Sequence, residues 1–329
     1  MKCRVTDYVE EDLDWEAGEY KKAGIDFKAF KLRGADPDAL LAEVRDADVL
    51  VVDQAKINAD VMAGLEHCGL IIRHGDGYDN LDLAAATARG IVCVNKPGFW
   101  VEEVANHALL LTLAALARFK KQLAMAASFD RKNNSWNLKR IFPLPRHTSN
   151  TIGILGFGKV GRVFAAKTQA LGFRVSAHDP LVDPEIIRKA GAAPVGFDEL
   201  IAEADALSLH VPGLPGTSGL FTGAVFSRMK PTAVLINTSR GAAVNTKDLV
   251  SALQEGIIAG AALDVTNPEP LPEGHPLFDM DNVVITPHLA WYSEDALWTM
   301  RKSIMQDVLN FRDGRLPASV VNPEVLTQL

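Results

Sequence analysis

Three glycines, spaced as Gly156-Phe157-Gly158-Lys159-Val160-Gly161, sit midway along this chain of 329 residues and limit its fold more than any other feature. The apolar run Thr151-Ile-Gly-Ile-Leu155 before them reads as a short buried strand, and residues 159–171 after them read as a helix. Strand, glycine turn and helix in that order suit a dinucleotide. They provide a tight turn, close backbone approach to a pyrophosphate, and helix N-terminal N–H groups aimed at phosphate oxygens. Glycine turns also arise for steric reasons alone, so the next element decides. The following apolar run, residues 173–177, ends at His178-Asp179-Pro180. A carboxylate at that strand tip can accept both ribose hydroxyls of an adenosine and repels a 2′-phosphate. Asp179, with Pro180 beside it, therefore favours NAD over NADP.

The chain is long enough for two domains with separate cores. Its 48% hydrophobic and 23% charged residues fit an ordinary globular protein. A net charge of −7 argues against nucleic acid or an anionic membrane as a partner held by bulk electrostatics. Met1 to Asp7 runs directly into a strand-like segment with no signal-peptide pattern. The most apolar helix, residues 104–117, is interrupted by Asn106 and His107 and is too short to span a bilayer. Cys3, Cys68 and Cys93 lie in or beside apolar runs at no metal-ligand spacing. That pattern points to reduced thiols, a cytoplasmic protein and no metal.

Strand and helix signals alternate throughout, the pattern of parallel α/β architecture. In the first hundred residues, strands are expected near 4–6, 26–30, 49–52, 70–73 and 91–94. Asp36-Pro37 and Asp82 each start a helix between them. This part has no phosphate-binding glycine turn. It reads as a smaller doubly wound, flavodoxin-like substrate domain of residues 1–100 and 290–329, into which a Rossmann NAD-binding domain of residues 101–289 is inserted. Residues 101–127 read as one long helix, a domain connector, a subunit contact or both. Residues 130–150, with Lys132, Lys139, Arg140 and Arg146, read as a solvated strap, with an anion contact as the alternative. Ser293-Glu294-Asp295 opens a final helix, to about residue 312, that returns to the first domain. Two crossings between domains predict a hinge with a cleft where ligand and cofactor meet.

Three further strand ends carry chemistry. Val234-Leu-Ile-Asn-Thr-Ser-Arg-Gly241 presents Arg240 beyond the carboxyl end of a buried strand, where ligands of parallel sheets bind. Its planar fork can hold a carboxylate. Ala262-Leu-Asp-Val265 leads to Asn267-Pro-Glu-Pro270, where prolines on both sides restrict the backbone around Glu269. Val283-Val-Ile-Thr-Pro-His288 ends in an imidazole, the one side chain of the three that titrates near neutrality. A neighbouring carboxylate would favour its imidazolium form. Each residue alone is as well or better read as structural; a carboxylate binder, a carboxylate and an imidazole at successive strand ends form a much rarer set. In the other domain, Gly75 and Gly77 flank Asp76 after a strand. The turn reads equally as a plain strand-to-helix connection or as a nest whose N–H groups hold a carboxylate, with the Asp76 side chain turned away.

These residues make the sequence resemble the D-isomer-specific 2-hydroxyacid dehydrogenase family over essentially its full length. The matching segments are Gly75-Asp-Gly-Tyr-Asp-Asn80, Val101-Glu-Glu-Val104, Gly153 to Gly161, Leu209-His-Val-Pro212, Met229 to Gly241, Leu263-Asp-Val265 and Thr286-Pro-His288. Pro287-His-Leu-Ala-Trp-Tyr-Ser-Glu294 further resembles the C-terminal-binding-protein-like branch, which holds bacterial enzymes and animal corepressors. The resemblance implies catalytic Arg240, Glu269 and His288. It implies NAD contacts from the glycine turn, Asp179, Pro180, His210, Val211, Pro212, Thr217, Asn237, Thr238, Ser239, Arg240, Asp264 and His288. Substrate contacts would come from Gly75, Asp76, Gly77, Arg240 and Trp291, and homodimers would form largely through the cofactor domains. Thr266-Asn-Pro-Glu269 departs from the aromatic and charged residues many members carry there. Phe99, Trp100 and Trp291 add bulk that could reshape the substrate pocket.

The expected reaction is reversible hydride transfer between nicotinamide and C2 of a 2-hydroxy or 2-oxo acid, as in glyoxylate or hydroxypyruvate reductases. The alternative is an NAD(H)-sensing, corepressor-like scaffold with residual activity. The short stretch after Pro317, with no long proline-rich tail, favours the enzyme. Formate dehydrogenase is a weaker alternative, because that family carries an amide where this chain has Glu269.

Overall fold

A computed structural model of the chain describes residues 1–128, 135–136, 138–141 and 143–327. Within the basic strap, Asp130 and Lys132 lie outside the described residues. Two compact units are present: Met1–Phe99 with Ser293–Leu329, and Trp100–Tyr292.

In the first unit five strands form a wholly parallel sheet: β1 (Lys2–Val5), β2 (Asp26–Ala29), β3 (Val49–Val52), β4 (Leu70–Arg73) and β5 (Val92–Val94), in the order β2-β1-β3-β4-β5. All four residues of β3 are buried, as a strand with both faces covered must be. Helices α1 (Asp14–Lys22), α2 (Pro37–Val44), α3 (Ala59–Gly64) and α4 (Leu83–Ala88) connect the strands. The Asp36 carboxylate accepts from Asp38 and Ala39 N–H, with proline at the first helical position, and Asp82 accepts from Ala85 N–H. The last helix, Glu294–Arg312, belongs to this unit and is tied to α1 by Arg301, whose Nε and Nη2 donate to the two Glu16 oxygens at 2.6 Å each. Asn322 covers the free edge of β5, accepting from Cys93 N–H (2.8 Å) and donating to Ile91 O (2.9 Å). Burial pushes the Cys3 and Cys93 thiols up to about 12, which keeps them protonated and unreactive.

The second unit is built on a seven-stranded parallel sheet: β6 (Thr151–Leu155), β7 (Arg174–His178), β8 (Ala193–Pro194), β9 (Ala206–Leu209), β10 (Val234–Asn237), β11 (Gly260–Leu263) and β12 (Val283–Ile285). Its order is β12-β11-β10-β9-β6-β7-β8, so the chain reverses direction across the sheet between β6 and β9. Ligands of doubly wound sheets bind at that reversal, beyond the strands' carboxyl ends. One apolar layer, around Leu200, Phe226 and Leu249, covers one face. The other layer holds Phe157, Phe164 and helix α5 (Val101–Leu116).

The single long helix expected over residues 101–127 is two helices. α5 ends at Leu116 and α6 (Phe119–Ala127) begins after Arg118, whose φ of +52° is left-handed. A left-handed L-residue costs about 1–2 kcal/mol; here the Arg118 guanidinium donates to Ile141 O at 3.0 Å. Arginine is a good helix former, so local periodicity hides a break made by a tertiary contact. Two strands also begin one residue later than expected, at Val92 and Arg174. Ile91 and Phe173 N–H instead close the preceding helix ends by donating to Ala86 O (2.9 Å) and Thr168 O (3.2 Å).

Candidate active site

The glycine turn lies between β6 and helix α7 (Lys159–Ala170). Gly156 has a φ of +93°, and a Cβ there would sit 2.5 Å from His210 O. At Gly161 a Cβ would overlap the Gly156 carbonyl. Those two glycines are required by the chain's own packing. Gly158 is not: a Cβ there meets nothing within 4 Å, and no side chain caps the helix it begins. Its backbone therefore leaves open space over uncapped N–H groups, the local field that draws phosphates.

Phe157, expected at the ligand as part of the glycine turn, turns its side chain into the core. Its ring is fully buried and its N–H donates to Asp179 Oδ2 at 2.7 Å. Asp179 Oδ1 accepts from Leu181 N–H at 2.9 Å, so the carboxylate at the tip of β7 is fixed by two backbone donors. Val160 is also a core residue, while Lys159 and Pro180 are exposed. Beyond β9, His210 lies against Phe164 and shares a 2.9 Å hydrogen bond with Ser208 Oγ. Burial pushes its imidazole down to about 3, so it is neutral and carries no proton-transfer role. Val211 is half-buried and packs on the core; Pro212 is exposed. The Thr217 hydroxyl, expected at a ligand, is turned into its own loop, donating to Pro212 O at 2.5 Å.

Past β10, Asn237 folds the turn that presents Arg240: its Nδ2 donates to Arg240 O (2.9 Å), and its Oδ1 accepts from Ser239 N–H (3.0 Å) and Oγ (2.8 Å). Thr238 Oγ1 is buried with no hydrogen-bond partner. Arg240 Nη1 donates to Ser239 O at 2.9 Å. Gly241 follows, so close to the next loop that a Cβ would overlap the Thr266 backbone carbonyl. Thr266 N–H donates to Glu269 Oε2 at 3.2 Å, and His288 Nδ1 lies 2.6 Å from Glu269 Oε1. The peptide bonds before Pro268 and Pro270 are both cis. Burial works against ionisation of Glu269, but His288, Thr266 N–H and Arg240 outweigh it and hold its carboxyl below the usual carboxylate range. His288 and Glu269 side chains are 40% and 35% exposed, so their pairing contributes only about 0–1 kcal/mol to stability. Its consequence is orientation: with Nδ1 on the carboxylate, Nε2 is the atom left for a reacting proton.

His288 has a φ of +57°, uncommon for a residue other than glycine. Asp264 holds it there. Expected at the cofactor, its buried carboxylate accepts from Thr286 Oγ1 (2.5 Å), Leu289 N–H (3.0 Å) and Ala290 N–H (2.9 Å). Its carbonyl accepts from His288 N–H at 2.9 Å. The roles of Thr266, Gly241 and the Asp264 clamp are not legible locally; their only sequence trace is that Asp264 and Thr286 both follow strand-like runs. Trp291 packs against the core and edge-on to Tyr292, 5.5 Å between centroids. In the first unit the nest expected at Gly75–Gly77 loses a donor, because Gly75 N–H donates to Arg73 O at 2.9 Å. Asn95 Nδ2 meanwhile donates to Asp76 O at 2.8 Å.

The family model described as D-isomer specific 2-hydroxyacid dehydrogenase, NAD binding domain, matches residues 110–290. A D-3-phosphoglycerate dehydrogenase of Archaeoglobus fulgidus is 34% identical over 316 residues, covering 95% of this chain and 58% of that protein. A glyoxylate reductase of Thermococcus litoralis is 35% identical over 290 residues, 88% of this chain and 87% of that one. The crystal structure of the TT0316 protein from Thermus thermophilus superposes with a TM-score of 0.85 at 32% identity, covering 98% of this chain and 100% of that one. This chain thus spans a little over half of the phosphoglycerate dehydrogenase and most of the glyoxylate reductase. With its parallel sheets and its His–Glu pair at strand ends, the chain belongs to the D-isomer specific 2-hydroxyacid dehydrogenase family, and residues 110–290 are that family's NAD-binding domain.

Proposed function

We propose that the chain is an NAD-dependent oxidoreductase that interconverts a small 2-oxo acid and its D-2-hydroxy acid, in the manner of a glyoxylate reductase. The observation that carries this reading is the 2.6 Å His288–Glu269 contact close to Arg240, in a domain of the NAD-binding type. The residues fit the cofactor. Gly158 leaves space that no protein atom fills, the first turn of α7 lacks a cap, and the orphaned Thr238 Oγ1 offers a hydroxyl. The glycine turn and α7 would hold the pyrophosphate, and Asp179 the adenosine ribose. NAD(H), when bound, supplies or takes up the hydride.

The side chains do the rest. Arg240 holds the substrate carboxylate. In reduction, protonated His288 gives its Nε2 proton to the C2 oxygen; in oxidation, neutral His288 takes it back. Glu269 fixes the ring through Nδ1 and stabilises the imidazolium. Glu269→Gln should move the reductase pH profile to lower pH. Reduction needs the imidazolium, and a neutral amide no longer supports that form as pH rises. In the unchanged chain the Glu269 carboxyl is held below the usual carboxylate range, so the pair should survive mild acid and be lost only as pH falls further. A Gln variant with the parent's pH profile would remove Glu269 from this role.

Asp179→Asn retains an acceptor for the backbone while deleting the charge. It should raise the ratio of NADPH to NADH kcat/KM about tenfold or more, and an unchanged ratio would show that discrimination lies elsewhere. The function itself is tested by NADH oxidation with glyoxylate, hydroxypyruvate, pyruvate and bulkier 2-oxo acids; turnover of none overturns it. The dehydrogenases and reductases among the relatives favour this reading over a sensing scaffold. A homodimer built through the NAD-binding unit is supported by Leu110, Phe119, Leu123 and Leu138, apolar yet 50–59% exposed. A monomer mass on sedimentation would exclude it. No described helix is long and apolar enough to cross a membrane. Unpaired, unreactive thiols support a cytoplasmic location.

A further inference from the structure

His107 stands on α5, beside the buried Val104, Ala108 and Leu111, and far in sequence from every residue given a chemical role above. Its Nε2 nonetheless lies 2.9 Å from Thr286 Oγ1, across 179 positions, and 3.5 Å from Asp264 Oδ1. Counting protons fixes the direction of this chain of contacts. Thr286 has one hydroxyl hydrogen, which points along the 2.5 Å contact to Asp264. Asp264 already accepts two backbone N–H groups, so its carboxyl oxygens serve this cluster as acceptors. Thr286 Oγ1 can then only accept from the imidazole, so His107 Nε2 carries a proton and donates it in a hydrogen bond. The sequence His107 → Thr286 → Asp264 ends on the carboxylate that holds the Leu289 and Ala290 N–H groups directly after His288, whose own N–H is held by the Asp264 carbonyl. A left-handed backbone at a non-glycine residue persists only where its surroundings over-determine it, and this line of donors is the side-chain part of that determination.

We propose that His107 is a positioning residue for the proton-transfer histidine, acting through the Thr286 hydroxyl and the Asp264 carboxylate to keep His288 Nε2 aimed. The inference rests on the reading of His288 as the acid–base. His107 takes no proton from the substrate; it sets where His288 stands.

The test uses the full-length enzyme, NADH and glyoxylate or the best 2-oxo acid found. His107→Phe keeps a flat ring without the donor, and His107→Gln places an amide N–H near the position of Nε2. Thr286→Val breaks the same line with a nearly isosteric side chain, which keeps the test usable if the phenylalanine variant folds poorly. Loss of one such buried hydrogen bond should lower kcat about tenfold in His107→Phe and in Thr286→Val. The NADH dissociation constant should be unchanged, because α7 and the glycine turn are untouched. His107→Gln should recover most of the lost kcat. The double variant His107→Phe/Thr286→Val should be no slower than the worse single variant, since both cut one line. A kcat within twofold of the parent in both single variants overturns the inference. So does a glutamine variant as slow as the phenylalanine one, or effects that multiply in the double. Failure of the underlying reading looks different: His288→Ala would then keep its turnover, whatever the His107 variants do.

Discussion

Replacing His288 by alanine is expected to lower kcat by about 10²–10⁴, the usual loss when a positioned acid–base is removed. The affinity for NADH should stay close to that of the parent. The two effects separate because the residues that would hold the pyrophosphate and the adenosine ribose lie around β6, α7 and the tip of β7, whereas His288 follows β12. Alanine also enters a left-handed backbone at φ +57°, so part of any loss could come from relaxation of the turn. His288→Asn separates these causes. Asparagine tolerates the left-handed region far better than most residues but cannot exchange a proton at neutral pH. It should therefore lose as much turnover as alanine while unfolding at a higher temperature. Either variant keeping more than a tenth of the parent kcat would show that the proton comes from another group. NADH binding followed by fluorescence on the same samples would complete the comparison.

Gly241→Ala should be nearly as damaging for a different reason. The added methyl would overlap the Thr266 carbonyl, a backbone atom that no rotamer change can move aside. Thr266 N–H is what holds Glu269 Oε2, and Gly241 directly follows Arg240. The methyl thus wedges apart the segments carrying the guanidinium and the carboxylate. Overpacking of this kind costs about 1–3 kcal/mol of stability, and a displacement near 1 Å can cost about 10² in rate. Both a lower melting temperature and a kcat reduced about a hundredfold are expected. Gly158→Ala is the counterpart: no protein atom lies within 4 Å of its Cβ, so it should melt normally and instead weaken NADH binding. If the two variants exchanged behaviours, the assignment of open space at Gly158 to a ligand would be wrong.

How much of this could be read from the amino acids varies with the range of the interaction. Strands Val49–Val52 and Leu70–Arg73 stand out because a parallel strand buried on both faces must be continuously apolar. The strand-end rule directs attention to Glu269 and His288, whose side chains meet at 2.6 Å. Local pattern fails where a side chain spends its hydrogen bonds within its own loop or on a distant element. Thr217 satisfies itself on Pro212 and Leu214. The Phe157 N–H answers to Asp179, a carboxylate that the sequence presents only as a ribose acceptor. Asp264 looks like another ligand contact at a strand end, and nothing local shows that its carboxylate also accepts from Thr286, Leu289 and Ala290. Arg118 breaks a helix that its own propensity would continue. His107 reads as a polar interruption in an apolar helix because its partners are supplied by strands much later in the chain.

The Asp264 clamp also has a consequence for motion. Residues 288–290 belong to no strand, and loops of that kind ordinarily trade their amide hydrogens with deuterated solvent quickly. Here the amides of His288, Leu289 and Ala290 are all anchored on one aspartate. They should exchange at the slow pace of the neighbouring sheet, so that proton transfer would rest on a still loop rather than on a flickering one.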